Sequence, residues 1–222
     1  MKMKQIYFIL LIVIMPFSAE AINVGPITSI INSKEDVLVR KISNNTDEAR
    51  VVLIQAIEVS EPTSDGTIIS SNPKNLLLSP SKIILPAKSE SNIKFYYNGP
   101  KDDKERYYRV IWRDSNISSS DESTSKKKAI ATSSALIGTI LVVSPRKEIF
   151  KYEFTKDNIL INKGNRSYHS VGYGPCTKNK KERCKEDYYD LPGTKRKFKN
   201  IDLKDKKSFL GVWHEDNFIN IK

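Results

Sequence analysis

The sequence predicts an all-β protein built from two β-sandwich modules, and three observations carry that expectation. Runs rich in Ile, Val, Tyr, Phe and Thr recur at intervals of about 8–12 residues, separated by clusters of Asn, Asp, Gly, Pro and Ser. Several runs alternate apolar and polar residues, the period-two pattern that turns one strand face toward a core. No long stretch repeats its apolar residues with the helical period of about 3.6.

The 222-residue chain opens with lysines in MKMK and an apolar run, QIYFILLIVIM, of secretory-signal length. SAEA then supplies the small-x-small pattern of a cleavage site, and the run is shorter than the roughly 20 residues of a membrane span. Residues 1–21 are expected to be a removed signal peptide, leaving an exported chain that starts at Ile22 and is not membrane-embedded. The first module is expected over residues 22–144. VLVRKIS (37–43) is closed by the turn cluster NNTDEA, and ARVVLIQAIEVS (49–60) by EPTSDG. LLLSPSKIILPAKSESNIKFYY (76–97) holds a proline-marked corner and further strands, and NGPKDDKE leads into RYYRVIW (106–112). The polar run DSNISSSDESTSKKK (114–128) reads as a loop. SSALIGTILVVSP (133–145) poses a problem, because from Ala135 to Val143 nearly every residue is apolar or small. Both faces of a strand there are greasy, and something must cover each. Pro145 marks the boundary to a second module, residues 145–222, with candidate strands in IFKYEF, NILIN, SYHSVGYG, KRKFKNIDL, SFLGVWH and NFINIK.

The net charge of +11 would suggest nucleic acid for a cytosolic protein. Export redirects it toward acidic protein surfaces or anionic envelope components, with no nucleic acid among the partners. Cys176 and Cys184 are the two cysteines, and so close a pair in an oxidising compartment reads as a disulfide. Their spacing lacks the short C-x2-C of zinc sites, so neither a metal nor a cofactor is expected. No G-x-S-x-G elbow, HExxH, phosphate-binding loop or dinucleotide fingerprint is present. His169 and His214 read as half-exposed strand residues, and Asp102-Asp103 and Glu186-Asp187 as solvated turns. No catalytic residue is expected.

LLLSPSKIILPAKSESNIKFYY resembles the D–E strand region of periplasmic pilus chaperones of the chaperone–usher family. RYYRVIW falls at their F strand, and AIATSSALIGTILVVSP at their G strand, just before the linker proline. GPKDDKERYYRVIW, IGTILVVSPR and YGPC…C with KEDYY are similar to the common-pilus chaperones of the alternate clade. The resemblance implies two immunoglobulin-like domains at an angle, and a periplasmic chaperone that holds pilus subunits (pilin and tip adhesin) for an outer-membrane usher. Its G strand would complete the subunit's fold by strand addition. Alternation allows two parities for that strand. Aligning Pro145 with the family's linker proline favours Ala131, Ser133, Ala135, Ile137 and Thr139 as the donor face over Thr132, Ser134, Leu136, Gly138 and Ile140. The family's basic anchors for the subunit carboxylate have no counterpart in INVGPITSII or in residues 129–144. The candidates for that role are Arg109, then Arg106, then Arg40, since forked guanidinium groups suit a carboxylate. The rivals are a fimbrial structural protein and a secreted ligand-binding sandwich, for which Tyr96, Tyr97, Tyr107 and Tyr108 would have to form a concave cluster.

Overall fold

A computed structural model of the chain describes residues 21–117 and 134–222. The described residues form seventeen strands and no helix. The first half holds β1 (Ile22–Asn23), β2 (Thr28–Ile31), β3 (Val37–Asn44), β4 (Arg50–Val59), β5 (Ile68–Ser70), β6 (Leu76–Ser79), β7 (Lys82–Leu85), β8 (Glu90–Tyr97), β9 (Arg106–Asn116) and β10 (Ser134–Val143). The second holds β11 (Tyr152–Phe154), β12 (Ile159–Asn162), β13 (Tyr168–Pro175), β14 (Arg183–Asp190), β15 (Lys195–Lys197), β16 (Phe209–His214) and β17 (Asn217–Asn220).

Each half stacks two sheets. In the first, β1-β3-β8-β6 faces β2-β10-β9-β4-β5, with β7 also paired to β4. In the second, β11-β12-β15 accompanies β14-β13-β16-β17. Alternation builds the first core: Ile93, Phe95 and Tyr97 of β8 meet Val52, Ile54 and Ala56 of β4 and Tyr108, Val110 and Trp112 of β9. Trp112 is fully buried and sits edge-on to Phe95 with ring centroids 6.2 Å apart, a favoured aromatic geometry. Some inward positions are charged. Asp114 accepts from Arg50 Nε at 2.8 Å and Nη2 at 2.5 Å, the paired arrangement that a buried charge requires. In the second half Leu160, Tyr168, Phe198, Leu210 and Val212 anchor the core.

The halves meet through a small apolar cluster and a polar latch. Val59, Tyr107 and Val142 pack with Ile30, Ile57 and Ile140, and Leu191 of the second half closes over them. Beside them the Glu105 carboxylate accepts from Ser167 N at 2.9 Å and Ser167 Oγ at 2.5 Å, and from the Tyr107 hydroxyl at 2.8 Å. Burial pushes that carboxyl above its ordinary pKa. Arg166, also buried, donates to Glu148 at 2.9 Å; His214 shares the same carboxylate at 2.5 Å.

Candidate functional site

The greasy segment proves to be two half-strands with different surroundings. From Ile140 to Val143, β10 lies between β2, to which it is parallel, and β9, to which it is antiparallel. There Leu141 and Val143 enter the sandwich core, while Ile140 and Val142 on the opposite face are covered by the cluster under Leu191. From Ser134 to Thr139 only the β9 side is paired. Among the described residues no strand fills the β2 lane along these six positions, because β2 begins opposite Ile140. Both faces of the second half are covered. Along Ser134 to Thr139, one lane of backbone groups and one face remain open among the described residues.

That open face has the parity opposite to the one favoured from sequence. Thr139 is 2% exposed and Ile137 packs against the core, with Ala135 half-buried on the same side. Ser134, Leu136 and Gly138 point outward, Leu136 with 66% of its surface accessible. A Cβ placed on Gly138 would meet nothing within 4 Å. Ala131 and Ser133, the remaining members of the expected donor set, lie outside the described residues. The physical reason for the inversion is Thr139: its hydroxyl accepts from Trp112 Nε1 at 2.9 Å and from Arg40 Nη1 at 3.0 Å. Two buried donors need that oxygen inside, and the pleat carries Ile137 and Ala135 in with it.

The three arginine candidates separate clearly. Arg109 lies on the outer face of β9 and donates to the Thr63 carbonyl at 3.2 Å. Arg106 is held by Asp102 through contacts of 2.8 and 2.6 Å, and this pairing drives the Asp102 carboxyl well below the usual carboxylate range. Arg40 is different. Its side chain enters the sandwich from β3 and is 5% exposed, with the guanidinium carbon 5.8 Å from the Trp112 ring centre. Nη2 donates to Pro26 O at 2.7 Å and also bonds Ser29 Oγ. All its described partners are neutral, and burial lowers its pKa. The three guanidiniums are not gathered into one site. Arg40 alone sits beside the point where β2 begins.

The tyrosines form no concave group either: Tyr97, Tyr107 and Tyr108 are buried, whereas Tyr96 is exposed on the outer face. Cys176 and Cys184 are joined as a disulfide. His169 lies 3.8 Å from Asp187 and His214 is engaged by Glu148, so the two imidazoles serve separate contacts. The sequence order of candidates puts Arg40 behind Arg109 and Arg106. The signal available was VLVR itself, whose period puts Val37 and Val39 opposite in sense to Leu38 and Arg40.

Comparison with known proteins decides the family. Residues 150–221 match the EcpB C-terminal domain. The probable fimbrial chaperone EcpB of Escherichia coli K12 is 42% identical over 207 residues, covering 92% of each chain, and that of Shigella boydii serotype 4 matches equally. The chain belongs to the EcpB family of fimbrial chaperones. Among solved structures, the class 5 fimbriae chaperone CfaA superposes with a TM-score of 0.57 at 16% identity, over 90% of this chain and 97% of that one. The two-sandwich architecture is therefore that of the fimbrial chaperones.

Proposed function

We propose that this chaperone works in the periplasm, as a non-enzymatic binder of pilin and tip-adhesin subunits that it passes to an outer-membrane usher, with the mature chain starting at Ile22. It holds its client by adding residues 134–139 of β10 to the client's incomplete sheet. The observation that carries the proposal is that, among the described residues, no strand occupies the β2 lane beside residues 134–139, and Leu136 projects from an otherwise small face. An added strand gains main-chain hydrogen bonds from such an edge, and side-chain register from alternate positions. Leu136, with Ser134 and Gly138 beside it, is the donor face.

The direction of the client strand follows from charge. A strand in the β2 lane running parallel to β10 would end against Thr28, where Pro26, Ser29 and Thr139 surround the Arg40 guanidinium. A chain terminus arriving there brings a carboxylate to a buried cation whose partners are all neutral. Charge-assisted hydrogen bonds are about twice as strong as neutral ones, and the anion would offset the burial that lowers the Arg40 pKa. Arg40 is the proposed anchor; Arg106 and Arg109 are not, since one is neutralised by Asp102 and the other stands on β9, beyond β10 from the β2 lane, and donates to Thr63 O.

The test is co-expression with an incomplete pilin encoded beside the chaperone, read by native mass spectrometry. Leu136→Asp with Gly138→Asp should abolish the one-to-one complex while leaving the circular dichroism spectrum unchanged. Arg40→Met should weaken it, and should weaken it no further when the client's C-terminal carboxylate is amidated. A complex that survives the double aspartate change would place the interface elsewhere.

A further inference from the structure

At the end of the second half remote from β10, two loops form one lysine-rich tip. Along β13 the row of His169 faces the first half, where Tyr189, Trp213, Ile30 and Asn32 line a shared cavity. The tip begins at Cys176, seven residues further on, or about 23 Å at the rise of an extended strand. One loop spans residues 177–182 and carries Lys178, Lys180 and Lys181; the other, residues 202–207, carries Lys204, Lys206 and Lys207. All six side chains are on exposed residues.

Several contacts tie the loops to each other and to the sheets. The Cys176–Cys184 disulfide closes the base of the first. Lys180 reaches Asp202 at 3.3 Å, Arg183 donates to Lys207 O at 3.3 Å, and Asp202 N bonds Pro175 O at 2.9 Å. The acidic residues of the tip are engaged within it. Asp202 also accepts from Lys204 N at 3.1 Å, Asp205 from Lys207 N at 2.7 Å, and Glu182 from Asn179 Nδ2 at 2.7 Å. Among the described residues, Lys178, Lys181, Lys204, Lys206 and Lys207 have no ion pair. At the margin of the tip Phe209, 37% exposed, lies against Tyr173 with ring centroids 5.6 Å apart.

We propose that this tip is a docking surface for a bilayer bearing anionic phospholipid headgroups. The choice of cation favours that partner over an acidic protein segment. Lysines are compact, strongly hydrated point charges suited to a mobile field of headgroups, whereas forked arginines suit a carboxylate or phosphate held in one geometry. An exposed aromatic side chain at the edge of the array, here Phe209, is the usual complement at a membrane–water interface. The loops that carry these five lysines are tied by internal contacts, so their backbone loses little freedom on binding. Since the tip begins about 23 Å along β13 from the shared cavity, docking would leave the β10 edge free.

The test uses protein recovered from a periplasmic extract and sedimented with vesicles of 30% phosphatidylglycerol in phosphatidylcholine, against pure phosphatidylcholine. Each lysine near such a surface is worth about fivefold in partitioning. The variant Lys178→Gln, Lys181→Gln, Lys204→Gln, Lys206→Gln should therefore lose at least about a hundredfold, and wild-type binding should fall steeply with salt. A control that removes the same charge from the first half, Lys74→Gln, Lys82→Gln, Lys94→Gln, Lys101→Gln, should change partitioning less than about threefold. Equal losses in the two variants, or no preference for phosphatidylglycerol, would overturn the proposal. Tip-dependent retention on soluble polyglutamate as tight as on the vesicles would overturn the bilayer in favour of an acidic protein partner.

Discussion

Replacing Thr139 with valine tests the central polar contact of the first sandwich. Valine has nearly the same shape, so the change removes one oxygen from a packed site and little else. That oxygen accepts from Trp112 Nε1 at 2.9 Å and from Arg40 Nη1 at 3.0 Å, and all three side chains belong to buried residues. Stranding the neutral indole donor costs about 1–3 kcal/mol, and losing a hydrogen bond from a charged donor about 1.5–3 kcal/mol. Arg40 keeps its bonds to Pro26 and Ser29, which limits its share, so the sum is about 3–5 kcal/mol. Thr139→Ser keeps the oxygen and loses a methyl group, for about 1 kcal/mol. The chain has two tryptophans, so a Trp213→Phe background leaves Trp112 as the sole reporter of the first half. With a urea m-value of about 2 kcal/mol/M the valine variant's midpoint should fall by about 2 M. A valine variant within about 1 kcal/mol of the parent, or no more affected than the serine variant, would refute the claim that this hydroxyl fixes the orientation of β10.

Asp114→Asn should destabilise the first half by about 1.5–3 kcal/mol, because it weakens hydrogen bonds from the charged Arg50 donor; thermal unfolding followed by Trp112 fluorescence measures it. Removing the Cys176–Cys184 bridge with Cys176→Ser and Cys184→Ser should cost roughly 2–3 kcal/mol for so short a loop in the chain-entropy model. Chemical denaturation with and without dithiothreitol on the parent gives an independent value. Carboxyl-carbon NMR should find Asp102 titrating below the ordinary carboxylate range and Glu105 above it, as expected from pairing with Arg106 and from burial respectively. The stability linkages then have opposite signs. The Asp102 contribution is present above the unfolded carboxylate pKa and disappears as pH falls through the folded value. That of Glu105 is complete below the unfolded pKa and disappears as pH rises through its raised folded value. Glu105→Gln should remove the second dependence and leave the first.

Much of the first sandwich was legible because its central strands obey the period of two. ESNIKFYY buries Ile93, Phe95 and Tyr97, and RYYRVIW buries Tyr108, Val110 and Trp112, as alternation requires. β10 defeats that reasoning, because its second half is apolar on both faces and composition gives no direction to its parity. What orients the strand is a hydroxyl required inside by an indole and a guanidinium from two other strands, and no local pattern shows that need. β3 misleads in the same way. Val37 and Val39 are exposed, at 46% and 51%, while Arg40 is buried, the reverse of what polarity suggests. β14 was hidden by its polarity: RCKEDYYD holds five charges in eight residues. Its inward positions Glu186 and Asp190 are acceptors for Asn200 N at 2.9 Å, Ser170 Oγ at 2.5 Å and Arg196 Nε at 2.8 Å.

The stop that β2 makes against Ile140 has a further consequence. It turns the vacant lane into a ruler six residues long, about 20 Å at the rise of an extended strand, closed at one end. A client strand that slides in until its terminal carboxylate reaches Arg40 has no freedom of phase, since every side chain then falls at a set distance from the chain end. Adding one residue to the client's C-terminus would turn each apolar side chain to the opposite face of the added strand. On this reading the chaperone discriminates among partners by reading frame: it measures how far a hydrophobic pattern lies from the end of a chain, and can accept varied sequences that keep that distance.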